Sequence, residues 1–415
     1  MRDFEPVMAA HVNTFVKELV KSCERPNTTV DMTERCRWLG LDVIGELGFG
    51  TNLQLQNDKK NRFMVGGLET SNFRINLYIQ FPLLKKAGME LLLFPYIATS
   101  QMKYYKMLRD LIVARRKEDK HARKDLYSFV VDLKDPDTGE SMRLRDIWTE
   151  AAFFMPAGNC ITSHSFLSLR LTYIPGGDTT ATALSAAFFY LSRYPPCYDR
   201  LATEIRTVFS SASQIRNGPQ LASCVYLRAC IDETLRMTPP ICTTLWRAYP
   251  KSTAISEALV IDGHVIPPGT EVGVNIYTMH HNAQYFPEPY TYKPERWLQA
   301  EEHPSEHDKA QRKLMHDAFT PFSIGSRGCG GKAMAYLEAS LTLAKTLWYL
   351  DFQRPETSKL DNFGQGSSGL SGGNPEYYVK DQFSSVHHGP NLIFKPRHGF
   401  SKTDIDTLTS EKVQS

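Results

Sequence analysis

A mainly α fold with a smaller β region is what this 415-residue chain predicts, and three observations predict it. Apolar residues recur at helical spacing in the first half, as at Val12, Phe15, Val16, Leu19 and Val20. From about 250 to 290 the texture changes to Pro, Gly and alternating residues, the mark of short strands and turns. The hydrophobic fraction of 42% with 22% charged residues is that of an ordinary globular chain, long enough for one large or two ordinary domains.

Residues 6–50 read as helices. Asp31 and Thr33 are candidate caps for the second, which runs through Cys36, Trp38, Leu39, Leu41, Val43 and Ile44. Residues 100–125 form a basic helical stretch carrying Lys103, Lys106, Arg109, Arg115, Arg116, Lys117 and Lys120. A solvated helix face is its ordinary reading; contact with an acidic partner or an anionic membrane surface is the other. Asp135-Pro-Asp-Thr-Gly139 is a turn, and Leu144 to Phe154 opens an apolar helical segment. Val260 to Gly269 reads as a hairpin turning at Asp262-Gly263. Gly364 to Gly373 is a flexible surface loop, His388 to Arg397 a final strand, and the polar residues 401–415 a tail without order.

The net charge of +3 gives no argument for nucleic acid. Eight cysteines without a Cys-x-x-Cys pair or regular spacing disfavour both a disulfide framework and a structural zinc site, and suit a reducing compartment. No run of about 18 apolar residues occurs. The most apolar stretch, Leu91 to Phe94, stops at Pro95, and the start of the chain has no signal-peptide pattern. As written, the chain is expected to be soluble and cytoplasmic, without internal repeats.

The chemistry concentrates at Cys329, in Phe322-Ser-Ile-Gly-Ser-Arg-Gly-Cys-Gly-Gly331. Gly325, Gly328, Gly330 and Gly331 let the backbone curl around a sulfur and let a flat cofactor approach. Arg327 offers a fixed fork for a carboxylate. A helix predicted from Lys332 onward points its positive end at the cysteine and favours the thiolate. A buried structural cysteine beside a glycine turn is the alternative.

This stretch resembles the haem loop of the cytochrome P-450 family, Phe-x-x-Gly-x-Arg-x-Cys-x-Gly, at Phe322, Gly325, Arg327, Cys329 and Gly331. The resemblance implies haem b, with Cys329 as the iron's axial thiolate and Arg327 on a haem propionate. Gly330 departs from the family, which usually has an aliphatic residue there. The segment Asp42 to Gly50 resembles the E helix of microsomal, especially fungal, members.

Glu233-Thr-Leu-Arg236 puts two opposite charges on one helix face, and Pro294-Glu-Arg296-Trp297 follows downstream. In order and spacing these resemble the family's Glu-x-x-Arg and Pro-Glu-Arg elements. The resemblance implies a buried structural triad of Glu233, Arg236 and Arg296 beneath the haem loop. It also makes Arg247 a second candidate for a propionate, the alternative being a strand-end arginine in solvent.

Gly176-Gly-Asp-Thr-Thr180 resembles the centre of the family's long I helix, which passes over the distal haem face. The resemblance implies that Asp178 relays protons and that Thr179 hydrogen-bonds dioxygen; a simple helix cap is the alternative. Pro175 departs from the family pattern, and 159–176 fits no helix register. Joining Gly158 to Gly177 restores Ala-Gly-Gly-Asp-Thr-Thr. The segment is in frame, Gly158-Asn159 can be encoded with a GT donor, and Pro175-Gly176 with an AG acceptor. Residues 159–176 are therefore expected to be a translated intron or insert within a single domain over 1–400.

A second departure is at the front, where family members carry a membrane anchor, a β-rich part and a C helix. The expectation is a cytochrome P-450 fold lacking its N-terminal part. The function implied is a monooxygenase placing one oxygen atom of O2 into an apolar small molecule, in fungal secondary metabolism. Its partners would be NADPH-cytochrome P-450 reductase, with cytochrome b5 as a further donor, at the cytosolic face of the endoplasmic reticulum for full-length members. The rivals are a truncated fragment without activity and a haem-thiolate isomerase or dehydratase that needs no reductase.

Overall fold

The computed structural model describes residues 3–81, 83, 90–119, 122–131, 134, 139–141, 177–248, 259–298, 305–356 and 374–399. The expected helix over 144–154, the segment 159–176, most of the 135–139 turn, the Gly364 to Gly373 loop and the tail lie outside these residues.

Helix α1 (Glu5–Ser22) buries Met8, Val12, Phe15, Val16 and Leu19 along one stripe, as the spacing predicts. Strand β1 (Thr29–Asp31) leads into α2 (Met32–Phe49). The cap is Asp31, whose side chain accepts from the Thr33 N–H at 2.8 Å. Thr33 instead sends its hydroxyl to the Gly389 carbonyl. Helices α3 (Phe63–Gln80) and α4 (Glu90–Lys117) pack on each other, and α5 (Leu126–Val131) lies against α2.

The basic stretch on α4 is not uniformly solvated. Arg115 is fully buried, and its Nε and Nη2 donate to the two oxygens of Asp125 at 2.5 and 3.2 Å. A paired carboxylate is what lets this guanidinium leave water.

Next come α6 (Gly177–Leu191), α7 (Pro195–Val208) and α8 (Val225–Met237). Short antiparallel pairs then form between β2 (Arg247–Ala248) and β5 (Glu271–Val272), and between β3 (Leu259–Ile261) and β4 (His264–Ile266). The β3–β4 hairpin turns at Asp262 (φ 48°) and Gly263 (φ 77°), the doubly left-handed turn that Asp-Gly favours. After α9 (Ile276–His280) and α10 (Glu306–Ala318), α11 (Lys332–Tyr349) runs into β6 (Leu350–Gln353). Strands β7 (Val379–Lys380) and β8 (Val386–His387) pair with each other. Strand β9 (Asn391–Pro396) lies between β1 and β6, antiparallel to both.

Phe188 of α6 joins helices to this sheet, its ring 6.4 Å from Phe15, 5.3 Å from Phe352 and 6.4 Å from Phe394. Truncating so buried a ring costs about 3–5 kcal/mol. Helices α2 and α6 meet through bare backbone. A Cβ built on Gly40 would lie 2.2 Å from the Gly177 carbonyl oxygen, so only glycine fits this crossing.

Candidate functional site

The loop from Phe322 to Gly331 closes on itself. Gly325 adopts φ 70°, a conformation glycine takes without strain. The Cys329 N–H donates to the Phe322 carbonyl at 2.8 Å, and the Gly328 N–H to that of Gly325 at 3.0 Å. The phenyl ring of Phe322 packs 5.2 Å from Tyr336 on the second turn of α11. Phe322, Gly325, Arg327, Cys329 and Gly331 thus sit in one turn at the N-terminus of α11, which begins right after Gly331.

Burial raises the Cys329 thiol above its ordinary pKa, while the N–H groups of Gly331 and Lys332 and the Lys332 charge oppose it. These N–H groups make the sulfur a hydrogen-bond acceptor at a helix N-terminus, the arrangement a thiolate ligand requires. Ile324, Gly325, Arg327 and Gly330 are exposed on the loop, and a Cβ on Gly325 would meet nothing within 4 Å. One soft donor, an open glycine cradle and an adjacent guanidinium fit a haem with a cysteine ligand.

The predicted triad is formed. Glu233, fully buried on α8, receives Arg236 Nε and Nη2 at 2.9 Å each and Arg296 Nε at 3.1 Å. Two further donors were not anticipated: the Lys293 N–H and the Trp297 indole N–H, both at 2.9 Å. Burial pushes the Glu233 carboxyl up, but the two guanidiniums and the Lys293 N–H outweigh it and hold the pKa below the ordinary value. Arg236 also donates to the carbonyls of His280 (2.9 Å) and Pro289 (2.7 Å), so its own buried charge is fully partnered.

The geometry also shows how the triad reaches the cysteine loop. The Trp297 ring lies 4.5 Å from Phe319, and His280 Nε2 accepts the Thr320 N–H at 3.1 Å. Phe319 and Thr320 lead directly into Phe322. On the other side, the Tyr336 hydroxyl donates to Asp232 at 2.6 Å, next to Glu233. Trp297 stands in the quoted Pro-Glu-Arg-Trp run and could have been found there. Nothing in the local pattern marks His280 or Tyr336.

Asp178 is buried in the first turn of α6, and Thr179 beside it is half-buried. Arg37 Nε lies 3.5 Å from Asp178 Oδ1, and Asn72 Nδ2 donates to Oδ2 at 3.1 Å. Its carboxylate is therefore held from α2 and α3. Arg247 is exposed on β2, its Nη1 3.2 Å from the carbonyls of Leu245 and Trp246.

Among the described residues no helix is long and apolar enough to cross a membrane, and no group of three or more His, Cys, Asp or Glu is arranged to hold a metal ion.

The comparisons with known proteins agree with this geometry. The family model for cytochrome P-450 matches residues 1–169 and 167–380. The cytochrome P-450 monooxygenase apf8 of Gibberella fujikuroi is 35% identical over 397 residues, 95% of this chain and 99% of that protein. The monooxygenase lcsN of Purpureocillium lilacinum is 33% identical over 359 residues, 86% of this chain and 97% of its own length. AKT7 of Alternaria alternata is 30% identical over 402 residues, covering 72% of that protein. The fold is that of the cytochrome P-450DA haem domain, with a TM-score of 0.68 at 17% identity over 96% of this chain and 74% of the other. Fold, cysteine loop and sequence relationship lead to one assignment: the chain belongs to the cytochrome P-450 family, as a monooxygenase.

Proposed function

We propose that Cys329 binds the iron of haem b as a thiolate, that Arg327 and Arg247 hold its propionates, and that the substrate is an apolar small molecule of secondary metabolism. The observation that carries this is the Cys329 sulfur, turned toward the N–H groups of Gly331 and Lys332 at the start of α11. Bound haem supplies the oxygen chemistry, one atom of O2 entering the substrate and the other leaving as water. Asp178, with Thr179 next to it, holds and passes protons from the α2–α3 side. Glu233, Arg236 and Arg296 keep the loop in place and take no part in the chemistry.

Electrons come from NADPH through a flavoprotein reductase, with cytochrome b5 as a further donor. Exposed Lys332 on the cysteine side suits an acidic docking partner. Fungal members of the family are generally microsomal, and the endoplasmic reticulum is the proposed site of action.

The reduced, carbon monoxide difference spectrum of the chain expressed with haem tests this reading. The red-shifted Soret band of a thiolate-ligated haem is expected, and Cys329→Ser should abolish it while leaving the helical signal of the fold. A wild-type protein that takes up haem without that band would overturn the ligand assignment. A thiolate band with no demand for NADPH would favour the isomerase or dehydratase.

We also infer that 159–176 is a translated intron. The exact family pattern across Gly158–Gly177 supports this, as does the division of the family match at 167–169. Transcript sequencing that finds these codons in the major message would end the idea. A variant lacking 159–176 separates an interrupted, inactive product from an enzyme, because only the interrupted product gains haem on that removal.

A further inference from the structure

Arg37 lies at the meeting of three helices and is 6% exposed. It reaches two carboxylates: Nη1 is 2.5 Å from Glu69 Oε1 on α3, and Nε is 3.5 Å from Asp178 Oδ1 on α6. Asn72, one helical turn beyond Glu69, takes the other Asp178 oxygen. Gly40 sits one turn beyond Arg37 on α2, and its backbone contact with Gly177 is what brings the guanidinium beside Asp178. Arg37 Nε and Nη2 and Asn72 Oδ1 are buried without a hydrogen bond among the described residues, so Arg37 acts on Asp178 through charge at ion-pair distance and Asn72 supplies the hydrogen bond.

A guanidinium does not give up its proton, so Arg37 cannot itself pass one to Asp178. What it can do is aim the carboxylate. Glu69, whose side chain is 36% exposed, anchors Arg37 independently of Asp178. The guanidinium is therefore held from α3 as well as by Asp178 itself.

We propose that Arg37 is a positioning residue that fixes the orientation of the Asp178 carboxylate from α2, with Asn72 as its counterpart on α3. This rests on the reading of Asp178 as the proton-delivering residue, and two measurements separate the two ideas.

The first is urea unfolding of the haem-free chain for wild type, Arg37→Met, Asp178→Asn and the double variant. The effects should be non-additive, with a coupling of about fivefold in the unfolding equilibrium. The second uses the haem-loaded protein with reductase and no substrate, where NADPH, a proton and O2 give NADP+ and hydrogen peroxide. Arg37→Met should slow NADPH oxidation about tenfold and raise the ratio of rates in H2O and D2O. Arg37→Lys should restore most of the rate, and adding Asp178→Asn to Arg37→Met should change the ratio no further. An additive cycle, or a wild-type isotope ratio in Arg37→Met, overturns the proposal. A chain that takes up no haem counts against the haem reading, and the unfolding cycle then decides on Arg37 alone.

Discussion

The Trp297 indole N–H lies 2.9 Å from Glu233 Oε2 while the same ring packs 4.5 Å from Phe319. One side chain thus ties the buried carboxylate to the residues that lead into the cysteine loop. Trp297→Phe keeps the packing and removes the donor. It should cost about 1–3 kcal/mol in urea unfolding, the penalty for leaving a buried acceptor short of a partner. Haem retention on gel filtration should fall with it.

Acid should weaken the fold through three histidines. Burial, helped by nearby arginine charge, lowers His280 to about 3, His281 to about 4 and His387 to about 3, from 6.5. Below 6.5 the unfolded chain binds more protons than the folded one. Their contribution is therefore complete above that value and is lost as pH falls toward these lower values, each by up to about 1.4 kcal/mol per pH unit. The urea midpoint should drop between pH 7 and about pH 5, and His280→Gln should flatten part of the slope.

Glu338 works in the opposite direction. Burial alone raises it from 4.5 to about 8, and its Oε1 has no hydrogen bond among the described residues. An acid raised in the folded state stabilises fully below its unfolded pKa and loses that contribution as pH rises through the folded one. Glu338→Gln should leave the urea midpoint near pH 5 almost unchanged and raise it in alkaline buffer, flattening that limb of the stability curve.

The two arginines at the end of α4 should behave differently although they are neighbours. Arg115→Met strands buried Asp125 and should cost about 3–5 kcal/mol. Arg116→Met, on the exposed side, should stay within about 0.5 kcal/mol. Equal effects in thermal melts would contradict the burial of Arg115.

Much of this was legible in the sequence where the signal is local. The glycine spacing around Cys329, the stripe of α1, the Asp31 cap and the Asp262-Gly263 turn each follow from a few adjacent residues. The triad was legible because Glu233 and Arg236 share a helix face and Arg296 lies in a recognisable run. Arg37–Asp178 and His280–Thr320 were not, because each joins segments far apart in the chain through a contact that only packing creates. Arg115 shows the same limit, since its charge suggested solvent and only the fold supplied Asp125.

The crossing of α2 and α6 has no side chain in it, and that makes it a fixed datum. Side-chain substitutions elsewhere on the two helices can reshape their surroundings, but the distance between the axes at Gly40 and Gly177 is already at its floor. Gly40→Ala should therefore cost about 1–3 kcal/mol or more in urea unfolding. Adaptation to new substrates would then have to come from elements outside this crossing, such as the short strand pairs, while Asp178 keeps its place.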